Sequence, residues 1–487
     1  MYRGKSITEL KELLDKKEVT SEELFSHANT LAHYFQEDYN SFVTIVDKCK
    51  IKEIDSPISG IPYALKDNFS TSGILTTGSS NILKDYVPVY DATVYKKLKK
   101  AGATLVGKTV LDELAMGGTG TTGHTGIVRN PWNKNRMIGG SSAGSAASVA
   151  LGIVPFSIGS DTGDSVRKPA SFGGLVGFKP TYGRISRYGL FAFASSLDHV
   201  AMFTRNVKDA AIVTDILKGY DRNDMVTLKD DGKKYVEEID HNIKGRKLFY
   251  IKEICNKELY KESNDKELLE TLDKFHELLD KCRKLGFEIE EISIDKNLLE
   301  AIYPTYMCIS CAEATSNNAN LTGIQFGPRG KGNSIEEIMF SARTEGFSEL
   351  IKRRFILGSF ILQKENQEKL FLNAGRVRRL LVETITKLFE QYDGMILPAS
   401  GGIAPTFDSS SEKLSDRYLI LENHLVIANF GGFPSITIPY GFIDGMPIGV
   451  NITGKVKEDD IVLNIANKIE EITNCKNIYS KVGDIDV

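Results

Sequence analysis

The sequence predicts an α/β fold, on three observations: helix and strand patterns alternate from residue 61 to 109, glycine concentrates between 117 and 183, and apolar strands close the chain. In the first region, GIPYALKDNF reads as a short apolar strand entering a polar turn, and TVYKKLKKAGATLVGKT as a helix, a glycine stop and a strand. In the second, residues 117–183 hold 15 of the 43 glycines, a density that signals backbone loops wrapped closely around something small. In the third, PSITIPYGFIDGMPIGVNITG reads as two strands joined by a turn at Asp444-Gly445.

The other elements follow from local pattern. The first 55 residues read as two or three helices: Ser6 caps the first, with Glu9 completing a capping box, and the second opens at Thr20 with Glu23 three residues on. Residues 219–300 turn to Lys, Glu and Asp with little glycine. There KELLETLDKFHELLDKCRKLGFEIEEISI reads as a long amphipathic helix, a glycine stop and a strand, with its charges forming a solvated face. EGFSELIKRRFILGSFILQ and AGRVRRLLVETITKLFEQY read as further helices. With no internal repeat or low-complexity linker, residues 1–487 are expected to form one large domain. Its parts are N-terminal helices (1–55), a core with Gly/Ser-rich loops (61–215), the charged segment (219–300), and helices with closing strands (301–487).

Lysine plus arginine number 61 against 64 aspartates and glutamates, a net charge of −3. A chain that grips nucleic acid by its phosphates would be basic, so an RNA partner would need a local basic patch or a further protein chain. KRR at 352–354 and RVRR at 376–379 read as helix surface or substrate pocket. No apolar run approaches the roughly 18–20 residues of a membrane span, and MYRGKSITELKELLDKK lacks the apolar centre of a secretory signal. Six cysteines are too sparse for a disulfide scaffold. Cys308 and Cys311 form a lone CxxC with no second pair or nearby histidines to complete a zinc site, so a buried thiol pair in a helix is expected. The expected home is a reducing one, the cytoplasm or an organelle interior.

Three features suit acyl transfer. GGSSAGSAASVALG contains a GxSxG match at Gly140, Ser142 and Gly144. A hydrolase elbow would need a buried strand before it and a downstream histidine. RNPWNKNRMI is too polar for such a strand, and none of His199, His241, His276 or His424 lies in a glycine-rich context. The second feature is Lys66 in IPYALKDNF: an apolar approach strand can deliver an amine into a low-dielectric site, where burial lowers its pKa and makes it a competent base. The bland reading is an exposed ion pair with Asp67. The third is GSDTGDSVRKP, a turn whose successive N–H groups around Ser165 suit a tetrahedral oxyanion. Its bland reading is a helix start with serine as cap and Arg167 on the surface.

GIPYALKDNF, GGSSAGSAASVALG and GSDTGDSVRKPASFGGLVGFKPTYGRIS together resemble the amidase signature family. The similarity runs nearly end to end, through DELAMGG, RYGLFAFASSLD, FTRNVKDAA and PSITIPYGFIDGMPIGV. The resemblance implies a central mixed β-sheet surrounded by α-helices and a Ser–cis-Ser–Lys triad. Lys66 would be the base, Ser141 the bridging serine with a cis peptide, and Ser165 the acylated nucleophile. Thr162, Gly163, Asp164 and Ser165 would form the oxyanion loop. KPTYGRISRYGLFAFASSLD is especially similar to the branch that supplies the glutaminase chains of tRNA-dependent amidotransferases. That implies glutamine hydrolysis, with ammonia passed to a partner, the B subunit, which uses ATP and Mg to convert Glu-tRNA(Gln) to Gln-tRNA(Gln). A small C subunit would accompany them, and this chain would hold no cofactor or metal and meet tRNA mainly through the B subunit. Tyr306 in TYMCISC and Arg354 in IKRRF fall where the family holds its glutamine, Arg354 pairing with the α-carboxylate. Glu422 in LENHLVIANFGG falls where an aspartate meets the α-amino group.

The pattern departs in three places. The family's DTGGS reads DTGDS, placing Asp164 in the oxyanion loop. Its NLxRxDGxR-like stretch reads NANLTGIQ at 318–325, and its tyrosine-rich segment reads QKENQEKLF at 363–371. These departures keep two alternatives open: a catalytically impaired assembly subunit of the same complex, and a stand-alone amidase acting on another small amide.

Overall fold

The structure, a computed structural model, describes residues 2–483 except 50, 51, 53, 264 and 409–415. Its strands are β1 (Phe42–Ile45), β2 (Pro62–Lys66), β3 (Thr104–Thr109), β4 (Arg129–Asn130), β5 (Asn133–Met137), β6 (Phe156–Asp161) and β7 (Val176–Lys179). They continue with β8 (His199–Thr204), β9 (Lys247–Ile251), β10 (Glu288–Ile292), β11 (Gly394–Pro398), β12 (Ser435–Ile443) and β13 (Met446–Thr453). An 11-stranded mixed sheet runs β1-β3-β2-β6-β8-β7-β12-β13-β11-β9-β10, flanked by helices. β2 is parallel to β3 and β6, and β9 is parallel to β10 and β11, while the other neighbours are antiparallel.

Alternation along the central strands separates the two faces. On β2, Tyr63 and Leu65 join one apolar cluster with Phe156 and Ile158, while Ala64 joins another with Val106, Ala146 and Val149. Burial on both faces explains why PYALK reads as an apolar run up to its last residue. Because β2 and β6 are parallel neighbours, Lys66 and Asp161 end their strands on the same edge of the sheet. Loops leaving that edge can meet over one point, the usual place for a site in such sheets.

The local readings correspond closely to observed elements. Ser6 with Glu9 and Thr20 with Glu23 both form complete capping boxes, opening helices Ile7–Asp15 and Ser21–Tyr39. A third N-terminal helix does not form: FVTI is β1, paired antiparallel with β3, where its β-branched residues fit a pleated surface. The charged segment contains helix Lys266–Leu285, stopped by Gly286 before β10. Asp444 and Gly445 both take positive φ between β12 and β13, as a tight hairpin turn requires. RNPWNKNRMI forms no buried strand of the main sheet, as expected. β4 and β5 pair as a two-stranded ribbon outside the main sheet, and its outward-facing polar residues hid the pattern.

Two helices carry the sequence-selected substrate residues: Ile302–Asn317 holds Tyr306, and Glu349–Leu362 holds Arg354. They cross at Gly358, where an added Cβ would lie 2.1 Å from both the Cys311 carbonyl and Thr315 Oγ1. The Cys311 carbonyl cannot recede without moving its helix, so Gly358→Ala is expected to destabilise the protein by about 1–3 kcal/mol through overpacking. A guanidinium titration checks this as a lowered midpoint at unchanged slope.

Candidate active site

Lys66 ends β2 with its side chain wholly buried. Its Nζ lies 2.8 Å from Ser141 Oγ, 2.9 Å from Ser142 Oγ, 2.9 Å from Ser160 Oγ and 3.3 Å from the Ser160 carbonyl. No carboxylate touches it among the described residues. Burial pulls its pKa down to about 7, against the more distant pull of Asp112, Asp161 and Asp198. The bland ion-pair reading is therefore wrong: Asp67 instead lies 3.4 Å from Lys108 and accepts from Thr77. Relative to an ordinary lysine, burial favours neutral Lys66 by on the order of 5 kcal/mol. Because the folded pKa is depressed, that cost to folding is full below pH 7 and fades as pH rises towards 10.5.

The serines arrive on the turn before helix Ala143–Ala150. The Gly140–Ser141 peptide is cis. Gly140 lies so close to Asp112 that a Cβ would sit 2.0 Å from Oδ2. Asp112 organises the whole corner. Its backbone N–H donates to the Ser141 carbonyl, and its carboxylate accepts from the N–H groups of Thr119, Gly120, Thr121 and Thr122 and from the Thr122 hydroxyl. Ser142 accepts from Lys66 and donates to the Ser160 carbonyl. The elbow reading finds no histidine partner. His199, His276 and His424 lie against backbone carbonyls, and His241 pairs with Glu238.

Ser165 follows β6 in a buried loop; its carbonyl accepts from Ser142 N–H at 3.2 Å, which ties this loop to the turn that carries Ser141. Among the described residues, no hydrogen bond engages its hydroxyl, or the backbone N–H groups of Thr162, Gly163, Asp164 and Ser165. Buried N–H groups are seldom left unpaired, so this run is suited to receive an anionic oxygen. The loop's outer side is tied down. Asp161 accepts from Val166 N–H, Arg167 and Asn429, and Arg167 also donates to the Gly163 and Leu425 carbonyls. Burial opposes the Asp161 charge, but Arg167 and Asn429 hold it well below the usual carboxylate range. Thr162 donates to Asp198, whose carboxyl burial raises to about 6. Arg167 is thus fully buried, not on the surface.

Asp164, the departure from the family pattern, has negative φ, so the missing glycine causes no left-handed strain. Its carboxylate points to Lys168 Nζ at 2.9 Å. Tyr306 packs on the loop from outside: its ring and hydroxyl are 3.2 Å from a Cβ placed on Gly163. Burial raises the Tyr306 pKa, and Arg354 lies close enough to pull against that rise. The Arg354 guanidinium sits 5.8 Å from the Phe193 ring centroid, with Nε and Nη1 buried and without a hydrogen-bond acceptor among the described residues. Glu422 is already engaged, since its carboxylate takes Lys168 Nζ at 3.1 Å and Gly401 N–H at 3.1 Å. Cys308 and Cys311 are free thiols on helix Ile302–Asn317, but only Cys311 is fully buried, so the expected buried pair is half correct. A cavity of about 650 Å³, bordered by Cys49, Tyr95 and Leu105, touches none of these groups.

Sequence reasoning missed Asp112, Asn429 and Asp198. Asp198 stands in the quoted RYGLFAFASSLD, and a charged residue inside an otherwise apolar and small segment is the signal that could have marked it.

The Lys66–Ser141 corner suits acyl transfer from an amide, and the comparisons give the family. The amidase family model matches residues 21–463, and the chain belongs to that family. It is 38% identical over 496 positions to the A subunit of the glutamyl-tRNA(Gln) amidotransferase of Heliobacterium modesticaldum, covering 99% of each chain. It is 37% identical to the A subunit from Lactobacillus delbrueckii subsp. bulgaricus, covering 96% of each. It is similar to the crystal structure of the Thermotoga maritima A subunit, with a TM-score of 0.81 and 33% identity over 98% of this chain and 97% of that one.

Asp112→Ala would leave four loop N–H groups without their acceptor. The expected loss is about 3–5 kcal/mol of stability, each orphaned donor costing roughly 1 kcal/mol or more. Chemical denaturation measures it, and a loss under about 1 kcal/mol would mean that water replaces the carboxylate.

Proposed function

We propose that this chain is the glutaminase component of a tRNA-dependent amidotransferase, hydrolysing glutamine and supplying ammonia for the conversion of Glu-tRNA(Gln) to Gln-tRNA(Gln). The observation that carries the reading is the wholly buried Lys66 amine on Ser141 Oγ at 2.8 Å, on a turn whose next residue, Ser142, donates its N–H to the Ser165 carbonyl at 3.2 Å. The names of its relatives supply the substrate. A neutral lysine has a lone pair for the Ser141 proton, and Ser141, as donor and acceptor, relays one from Ser165. Ser165 Oγ then bonds to the side-chain amide carbon of glutamine, and the carbonyl oxygen becomes an oxyanion against the N–H groups of residues 162–165. The C–N bond breaks as Lys66, through Ser141, returns the proton to nitrogen, and ammonia leaves. Water attacks the Ser165 ester along the same proton route and releases glutamate.

Glutamine's α-carboxylate meets the Arg354 guanidinium beside Tyr306, a charge-assisted contact. Its α-ammonium meets the Glu422 side of the Asp164–Lys168–Glu422 group, which carries a net charge of −1 from two carboxylates and one ammonium. The chain itself needs no metal or cofactor for these steps. ATP and Mg serve the B subunit, which takes the ammonia and the tRNA, with a small C subunit completing the assembly, in the cytoplasm or an organelle interior. No helix among the described residues is long and apolar enough to cross a membrane.

Purified with its B and C partners, the protein is expected to release glutamate from glutamine, and Ser165→Ala to reduce this at least about a thousandfold. No turnover by the intact complex would favour the impaired assembly role, and turnover of other amides without any association with a B subunit would favour a stand-alone amidase.

Because the base works only when unprotonated, kcat/KM is expected to fall as pH drops through about 7. Lys66→Ala is expected to lose burst acylation while keeping the wild-type circular dichroism spectrum. A burst of normal size in that variant would remove Lys66 from the mechanism.

A further inference from the structure

We infer that Lys168 is a positioning residue, which holds the Asp164 carboxylate away from the place where the oxyanion forms. The inference rests on the acyl-transfer reading above and explains how this chain tolerates an acidic residue in that loop.

Asp164 contributes one of the unpaired N–H groups beside Ser165, so its own carboxylate is tethered close to an oxyanion donor. A negative charge turned inward there would oppose the charge that develops in the transition state, reversing the benefit of those donors. Lys168 stands four residues on, one helical turn away. Its backbone N–H donates to the Asp164 carbonyl at 2.9 Å, and its Nζ meets Asp164 Oδ2 at 2.9 Å.

The ammonium is itself anchored from the far side. It donates to the Glu422 carbonyl at 2.5 Å and to Glu422 Oε2 at 3.1 Å, and Gly401 N–H fixes the other oxygen of that carboxylate. An ammonium has three N–H donors, and Asp164 and two Glu422 oxygens use all three. The Lys168 side chain is 11% exposed and that of Asp164 20%, so little water competes. Burial works against the Lys168 charge, but the two carboxylates outweigh it and hold its pKa above the ordinary lysine range. The neighbouring cation cannot substitute: Arg167 is committed to Asp161, Asn429 and two backbone carbonyls. Tyr306 packs against Gly163, and among the described residues Lys168 is the one cation paired with the Asp164 carboxylate.

The test is a double-mutant cycle in the assembled complex, with Lys168→Gln, Asp164→Gly, their combination and Lys168→Arg. Two readouts are taken: glutamine turnover, and the acylation burst with p-nitrophenyl acetate, which needs the oxyanion loop but not glutamine recognition. Lys168→Gln is expected to slow the burst and kcat by about tenfold to hundredfold, with a smaller change in KM, and Lys168→Arg by less than about threefold. In the Asp164→Gly background, where no carboxylate needs holding, Lys168→Gln is expected to cost less than about threefold. An equal loss in both backgrounds, or a burst at the wild-type rate in Lys168→Gln, overturns the proposal. Lys168→Met, which keeps the packing of the stem, reads the same cycle if Lys168→Gln does not fold. A wild-type protein that gives the burst but never hydrolyses glutamine would refute the substrate assignment alone, and the burst cycle would still decide the role of Lys168.

Discussion

The structure turns on one buried amine, Lys66, which contacts hydroxyls and, among the described residues, no carboxylate. Three buried lysines show what that choice does. Lys66, touched only by serines, is drawn to about 7. Lys108, equally buried but 3.4 Å from Asp67, stays near 8. Lys168, between two carboxylates, lies above the ordinary range. Burial lowers the first two, and only the pair of contacting carboxylates at Lys168 outweighs it. A lysine meant to accept a proton near neutrality needs the first environment.

Carboxylates do lie near Lys66, and the fold keeps each one occupied. Asp112 is engaged by the N–H groups of residues 119–122, Asp161 by Arg167 and Asn429, and Asp198 by Thr162 and the N–H groups of Phe193 and Ala194. Their bonds serve two purposes. They satisfy buried charges that would otherwise be costly, and they stiffen the two loops that carry Ser141 and Ser165. The N–H groups of residues 162–165 stay unpaired among the described residues, while the Gly163 carbonyl and the Asp161, Thr162 and Asp164 side chains are held by Arg167, Asn429, Asp198 and Lys168. Asp164 fits the same scheme, as its charge is drawn outward onto Lys168.

Much of this was legible before any coordinates. Ser6/Glu9 and Thr20/Glu23 announced two helix starts, PYALK announced a strand delivering Lys66, and Asp444-Gly445 announced the closing hairpin, all from contacts within a few residues. Resemblance selected Ser141, Ser165, Tyr306 and Arg354, and the fold gathers these around one loop. Less legible were β1, read as helix, and the β4–β5 ribbon, whose polar outward residues carry no apolar alternation. The burial of Arg167 was not legible, because a lone arginine in a turn gives no local sign of the Asp161 and Asn429 partners that bury it.

By itself, the sequence determined the helix caps, the order of strands and helices, and which residue types were available for acyl transfer, because backbone preference and periodicity act over a turn or two of chain. Only the tertiary structure decided that the Lys66 pKa falls to about 7, that the loop N–H groups stay unpaired among the described residues, and that Lys168 joins Asp164 to Glu422. Those properties depend on desolvation and on groups brought from Ser141, 75 residues away, and from Glu422, 254 residues beyond Lys168. No local pattern records the dielectric around an amine.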